Sequence, residues 1–229
     1  MAASTGKGDL RALGGVLFAA FFIASLILAG ALSSGSLPLP GAPASEVARY
    51  YEENRTAVLL SGSLQGLSAA SLLVFVPAVA AFARRAAPGG RALPRVVLGS
   101  GTLAGILLFL SVAFGFVVGF AAEGGTLILV GTFRDLNFLF GGALHIASLA
   151  PLLGGASLAA LRAKALPRWI PPFGLFAAAV ALLCLISVFW YPASVFDPIG
   201  RLLAFVWSVA LGVALLRGGR ARANGERVR

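Results

Sequence analysis

The sequence predicts an all-α membrane protein: a polytopic bundle of six transmembrane helices in a single domain, with both termini cytoplasmic. Three observations predict it. The chain is 59% hydrophobic and only 11% charged, whereas a water-soluble domain carries about a quarter charged residues. The apolar residues gather in six runs, each close to the roughly 20 residues that a helix needs to cross a bilayer. The basic residues gather in alternate segments between those runs, the signature of cytoplasmic loops.

The runs fall at about 12–32, 57–83, 96–121, 136–161, 169–190 and 199–216, a spacing that leaves no room for a soluble domain anywhere in 1–229. The N-terminus, the loops 84–95 and 162–168 and the basic tail 217–229 hold Lys7, Arg11, Arg84, Arg85, Arg91, Arg95, Arg162, Lys164, Arg168, Arg217, Arg220, Arg222, Arg227 and Arg229. Of the 18 Lys and Arg residues, only Arg49, Arg55, Arg134 and Arg201 lie on the other side. Acidic residues sort the opposite way, leaving Asp9 and Glu226 with the basic segments. The net charge of +10 therefore reads as a topology signal and not as a nucleic-acid surface.

The first run follows Lys7 and Arg11 and ends near Ala29-Gly30-Ala31, which resembles a secretory leader. Leader cores are about 7–15 residues, however, and this run is longer, so a retained spanning helix is expected. The next segment, 33–56, opens on Ser33-Ser34-Gly35-Ser36 and carries Pro38, Pro40 and Pro43, so it begins irregular. Ser45 then caps a short amphipathic helix, about 45–54, with Val47, Tyr50 and Tyr51 on one face. It is expected to lie in the headgroup region with its tyrosines in the aromatic belt.

In the third run Gly101, Gly105, Gly115 and Gly119 form two GxxxG pairs on one narrow stripe, which admits a second helix at close range. The partner belongs either to this chain or to another protomer; in a six-helix bundle, packing within the chain is the simpler expectation. The second and fourth runs resemble each other. Gly62 to Leu73 aligns with Gly142 to Leu153 at half of the positions, and Ala92-Leu93-Pro94-Arg95 recurs as Ala165-Leu166-Pro167-Arg168. This reads either as a parallel repeat of two helical hairpins, as occurs in transporters, or as coincidence in an Ala- and Leu-rich chain.

His145, the single histidine, falls deep in the fourth run, and Gln65 occupies the matching place in the second. Ionisable groups at that depth are costly and usually face the bundle interior. His145 reads either as a relay or solute contact or as a neutral imidazole bonded to a neighbouring helix. Toward the outer rim stand Arg55, Glu123, Arg134, Asp135, Asn137, Asp197 and Arg201. Asp135 suits a helix amino end, and Asp197 and Arg201, four apart, can pair along a helix. Together these are the candidate rim of a vestibule leading down to Gln65 and His145, with Arg55, Asp135 and Asn137 as its candidate binding residues. The alternative is that these are ordinary solvated helix ends.

The lone Cys184 lies in an apolar run and cannot make an intrachain disulfide or a Cys-based zinc site. One histidine excludes bis-histidine haem within the chain. HExxH, P-loop and glycine-rich dinucleotide motifs are absent. A Gly-x-Ser-Gly nucleophile with a later histidine and an intramembrane retinal lysine are absent too. No cofactor, metal site or catalytic residue is indicated.

Glu46-Val47-Ala48-Arg49-Tyr50-Tyr51-Glu52-Glu53-Asn54-Arg55, Arg134-Asp135-Leu136-Asn137-Phe138-Leu139-Phe140-Gly141-Gly142, and Ala160-Leu161-Arg162 leading to Leu166-Pro167-Arg168-Trp169 resemble a group of six-helix bacterial membrane proteins common in actinobacteria, whose activity is unknown. The resemblance implies a bundle of this size in a bacterial plasma membrane and no catalytic residues. Two functions of different class follow from the sequence. One is a small transporter or permease-like protein for an apolar or weakly polar solute, with the lipid bilayer as its surroundings. The other is a non-catalytic scaffold, stress-response factor or subunit, acting as a homo-oligomer or with a partner. An intramembrane enzyme comes third.

Overall fold

The computed structural model describes residues 9–39, 41–87, 90–164 and 166–226, the last only as backbone at position 191 and beyond 218. Lys7, Arg227 and Arg229 of the charge pattern, Pro40 of the external segment and Ala165 of the second hairpin lie outside them. Among the described residues the fold is all helical. Its α-helices are α1 (Gly14–Leu32), α2 (Ala44–Glu53), α3 (Arg55–Ala86), α4 (Ala92–Glu123), α5 (Leu127–Leu139), α6 (His145–Ala163), α7 (Ile170–Leu183) and α8 (Phe196–Glu226). Six helical stretches are long and apolar enough to cross a membrane: Leu10–Leu32, Arg55–Ala86, Ala92–Glu123, Leu127–Ala163, Ile170–Val188 and Pro192–Gly218. The protein is thus built as an integral, multi-pass membrane protein.

The spans form a closed ring. α1 packs on α3, α3 on α4, α4 on α6, α6 on α7, α7 on α8, and α8 returns to α1. α6 also reaches α3 and α8 across the ring, which makes the fourth span the most enclosed of the six. Large apolar side chains such as Ile27, Val74, Leu103, Phe176 and Val206 point outward, where lipid replaces water and their exposure costs nothing. The interior is rich in alanine: Ala69, Ala83, Ala104, Ala156, Ala159, Ala177 and Ala181 are buried around Phe18, Phe75, Leu108, Ile146 and Trp207. Lipid tails are as apolar as leucine, so helices in a bilayer associate through close packing and hydrogen bonds, for which small residues are suited.

The glycine stripe of α4 faces this chain. A Cβ at Gly105 would meet the Leu73 side chain, and one at Gly101 the Val76 side chain, both on α3. Higher up, Gly115 faces Asn137 of α5 and Gly119 faces Tyr51 of α2. Between α1 and α3 the Ser68 hydroxyl donates to the Phe18 carbonyl at 2.7 Å. Such interhelical bonds average about 0.6 kcal/mol and reach about 1.7. Ser68→Ala is expected to lower stability within that range, read from thermal unfolding of the purified protein.

Three features differ from the sequence reading. The stretch 122–135 is no loop. It is a turn at Gly124–Thr126, with Gly125 at φ +66, followed at once by α5. Leu127-Ile128-Leu129-Val130 supplies the apolar face, and Val130 packs with Val47, Tyr51, Val118 and Ala122. The fourth span therefore starts nine residues earlier than 136, and Asp135 lies inside a helix and not at its amino end. Tyr51 is also turned inward: it is buried against α4 and α5, because α2 folds onto the bundle. Finally, the last helix begins at Phe196 and continues through the expected tail to Glu226.

The fourth span is also broken. Between α5 and α6 the chain makes one π-type turn, Phe140–Leu144, in which Gly142 leaves helical geometry (φ −89, ψ −110). π-bulges of this kind occur disproportionately at functional sites. Glycine is required here by close approach. A Cβ at Gly141 would collide with the Ser111 side chain, and one at Gly142 would lie 3.1 Å from the Asp197 carboxylate.

Candidate functional site

Irregular backbone at membrane depth is tolerated where it is buried in protein or lines a cavity. Here it does the second. A cavity of about 520 Å³ lies beside the break, between α1, the segment 37–39, α2, α3, α4, α5 and α8. Its walls are mainly apolar, with Phe22, Leu26, Leu37, Leu108, Phe138 and Phe205 among them. Gln65, Ser111, Asn137, Arg134, Asp197 and Arg201 are the polar groups that converge on it. A mostly apolar cavity with few convergent polar groups is the usual form of a small-molecule site.

Ser111, Asn137, Arg134 and Arg201 have identifiable holders. Asn137 donates its side-chain amide to the Ser111 carbonyl (2.6 Å) and to the Ser111 hydroxyl (3.1 Å). The Ser111 hydroxyl donates to the Asn137 carbonyl at 2.9 Å, so α4 and α5 are tied just before the break. Arg134 donates to the Leu39 carbonyl (2.7 Å) and the Ala42 carbonyl (3.2 Å) and pairs with Asp135 at 3.0 Å. It thereby holds the proline-containing segment as a wall over the cavity. Arg201 donates to the Gly141 carbonyl, one of the acceptors freed by the broken helix, and its guanidinium stacks 4.5 Å above the Phe22 ring.

Asp197 and Arg201 do not form the expected pair: no ion pair joins them among the described residues. Arg201 is drawn to the Gly141 carbonyl, and the Asp197 carboxylate turns toward the Ser187 hydroxyl (3.5 Å) and Gly142. Asp197 is 7% exposed, and its Oδ2, like Arg201 Nε, has no hydrogen-bond partner among the described residues. The floor of the cavity thus keeps an anion and a cation one helical turn apart, each with unused bonding capacity.

The sequence candidates separate in space. Gln65 and Asn137 line the cavity. His145 does not; it is fully buried, bonded through Nδ1 to the Ala104 carbonyl at 2.8 Å, with its ring edge-on to Phe18. Nδ1 faces a carbonyl, so it carries the proton. Asp135 is turned outward in its pair with Arg134. Arg55 is bound to Glu123 at 2.9 Å beside a separate small hollow with Gly115 and Gly119. Arg134, Asp197 and Arg201, which the sequence placed on the outer rim, do line the cavity. Sequence reasoning missed Ser111 and the Gly141-Gly142 pair, for which the double glycine within an apolar run was the available signal.

No group of three or more His, Cys, Asp or Glu side chains is placed to hold a metal among the described residues. The buried Cys184 thiol is turned to the Phe196 carbonyl at 3.3 Å. The arrangement is suited to holding a molecule.

Tyr51, on α2 at the cavity's mouth, is pushed up to about 12 by burial first and by the neighbouring Tyr50 second. A raised folded-state value gives stability that is complete below the ordinary tyrosine range near 10 and is lost as pH rises through about 12. Alkaline titration followed by ultraviolet absorbance is expected to show one tyrosine ionising late. Tyr51→Phe should remove that phase and flatten the fall in stability over the same pH window.

No protein-family model, no curated protein and no solved structure matches the chain. The resemblance to the six-helix actinobacterial group therefore reduces to its coarse part, a polytopic membrane protein with six spans.

Proposed function

We propose that the protein is a permease-like membrane protein whose cavity takes a small, mainly apolar solute bearing one polar group. The observation that carries this reading is the helix break at Gly141-Gly142 beside the cavity. Discontinuous spanning helices form substrate sites in many transporters, where freed backbone groups meet the solute or its counter-charges. Gln65 and Asn137 are the side chains that orient the solute, and Arg201 holds the break open.

The charge pattern supports an orientation in which this cavity faces outward, because the segment 37–39 and α2 lie opposite the basic loops. Cysteines introduced singly as Ser36→Cys and Gly90→Cys test it, since the natural Cys184 is buried. An impermeant thiol reagent on intact cells is expected to label the first and spare the second. The reverse pattern would invert the scheme.

Binding is tested with toluene, benzyl alcohol and benzoate on protein in lipid nanodiscs. A ligand that binds only the folded state raises its stability by RT ln(1 + [L]/Kd). Benzyl alcohol is expected to raise the unfolding midpoint of the native chain and to raise it less in Gln65→Trp, whose bulkier indole takes up part of the cavity. Three silent probes, or an equal rise in both proteins, would refute the reading.

A further inference from the structure

At the opposite end of the bundle a second hollow, of about 450 Å³, opens between the end of α3 and the start of α4. Arg84, Arg91 and Arg95 line it, and Ala80, Pro94 and Leu98 supply apolar wall. None of the three arginines has an ion-pair partner among the described residues. Asp9 at this end is occupied by Arg11 at 2.8 Å. The charged side chains lining the hollow are thus all positive among the described residues.

The positions of the charges make this unusual. Cations are favourable near a helix carboxyl end, and Arg84 is so placed in the last turn of α3. Arg91 and Arg95 stand at the amino end of α4, where the helix already presents positive charge and no side chain caps the free N–H groups. Their charges repel that end unless an anion joins them. Orientation of the chain in the membrane explains why this loop is basic. It does not explain why three guanidinium groups surround one hollow with an apolar side.

We propose that this hollow binds the phosphate group of an anionic phospholipid. Guanidinium groups meet phosphate oxygens through paired N–H donors, and basic pockets between spanning helices on the cytoplasmic side are suited to lipid headgroups. Leu98 and Ala80, at the ends of two spanning helices, continue the wall toward the hydrocarbon, where the acyl chains of the same molecule lie. The shared chemistry, a phosphate, also fits free inorganic phosphate; the apolar wall favours the lipid. This site is independent of the solute cavity.

The test uses full-length protein in a neutral maltoside detergent, titrated with phosphatidylglycerol, phosphatidylcholine or inorganic phosphate while thermal unfolding is followed. Phosphatidylglycerol is expected to raise the midpoint saturably, by several degrees, and the other two are not. The triple variant Arg84→Gln/Arg91→Gln/Arg95→Gln is expected to lose the rise. The charge-matched control Arg162→Gln/Arg168→Gln/Arg217→Gln is expected to keep it. If the first triple fails to fold, Arg91→Gln alone should weaken apparent lipid affinity several-fold. No rise with phosphatidylglycerol, an equal rise with phosphate alone, equal loss in both triples, or full affinity in Arg91→Gln would each overturn the proposal.

Discussion

Gly14→Leu is expected to yield no folded protein. At Gly14 α1 lies directly against the backbone of α3: a Cβ there would stand 2.5 Å from the Ser71 carbonyl oxygen and 2.9 Å from the Phe75 nitrogen. Neither atom can rotate away, so one whole helix must move. That movement opens the contact that buries Phe18 and Phe75 and stretches the Ser68 to Phe18 bond. Overpacking a core costs about 1–3 kcal/mol when side chains can adjust; against rigid backbone the loss should exceed about 3 kcal/mol, a large share of the roughly 5–15 kcal/mol that holds a domain together. Two controls give the scale. At Gly105 the nearest atoms to an added Cβ belong to the Leu73 side chain, whose rotation softens the clash, so an intermediate loss is expected for Gly105→Leu. At Gly30 nothing lies within 4 Å of the added atom, and Gly30→Leu should be nearly neutral. Expression, monodispersity in size-exclusion chromatography and the unfolding midpoint read all three. A monodisperse Gly14→Leu protein of native stability would show that α1 does not pack as described.

The second large effect is expected from Arg201→Met. Methionine keeps much of the bulk but loses the donor to the Gly141 carbonyl and the cation above the Phe22 ring. An unsatisfied buried carbonyl costs about 1–3 kcal/mol, and the cation–π contact is worth about 0.5–2 kcal/mol. Removing a buried charge gives something back. Yet it also leaves the Asp197 carboxylate without the only cation on its own helix turn, and a buried charge stripped of its counter-charge is strongly unfavourable. The losses outweigh the gain, and a net destabilisation of about 2–4 kcal/mol is expected. Arg201→Lys keeps the charge without the planar fork and should recover part of it. In the double variant Arg201→Met/Asp197→Asn the orphaned anion is gone, so its loss should be smaller than the sum of the single ones, a positive coupling readable by a double-mutant cycle. Benzyl alcohol should no longer stabilise Arg201→Met, because the break that shapes the cavity loses its anchor. Native stability in Arg201→Met would remove this side chain from the account of the broken helix.

Much of the architecture was legible because it depends on one-dimensional quantities. A spanning segment is defined by length and apolarity, so the second and third runs, expected at about 57–83 and 96–121, emerge as Arg55–Ala86 and Ala92–Glu123. The α2 helix was legible from its amphipathic pattern, but its expected cap was not: the helix starts at Ala44 after Pro43 with no side-chain cap, so Ser45 lies inside the first turn. The direction in which Tyr51 points was not, since protein and headgroup both welcome an aromatic face. The same limit applies to polar groups. Gln65 and Asn137 reach the cavity, whereas His145, the most conspicuous residue in the sequence, bonds to the Ala104 carbonyl in the interior. Depth along a helix can be counted from the sequence; rotation about its axis depends on which neighbour is near.

What the sequence alone determined is the membrane character of the chain and the number of its spans. Hydropathy acts locally and sums along the chain, so tertiary contacts are not needed to read it. What only the tertiary structure decided is where the fourth span breaks and what the break is for. Gly141 and Gly142 permit that geometry, but Ser111, Asp197 and Arg201, brought from α4 and α8, supply the crowding and the hydrogen bond that select it. A helix at membrane depth surrenders its own backbone bonds only where distant side chains replace them, and that replacement exists only once the ring of helices has closed.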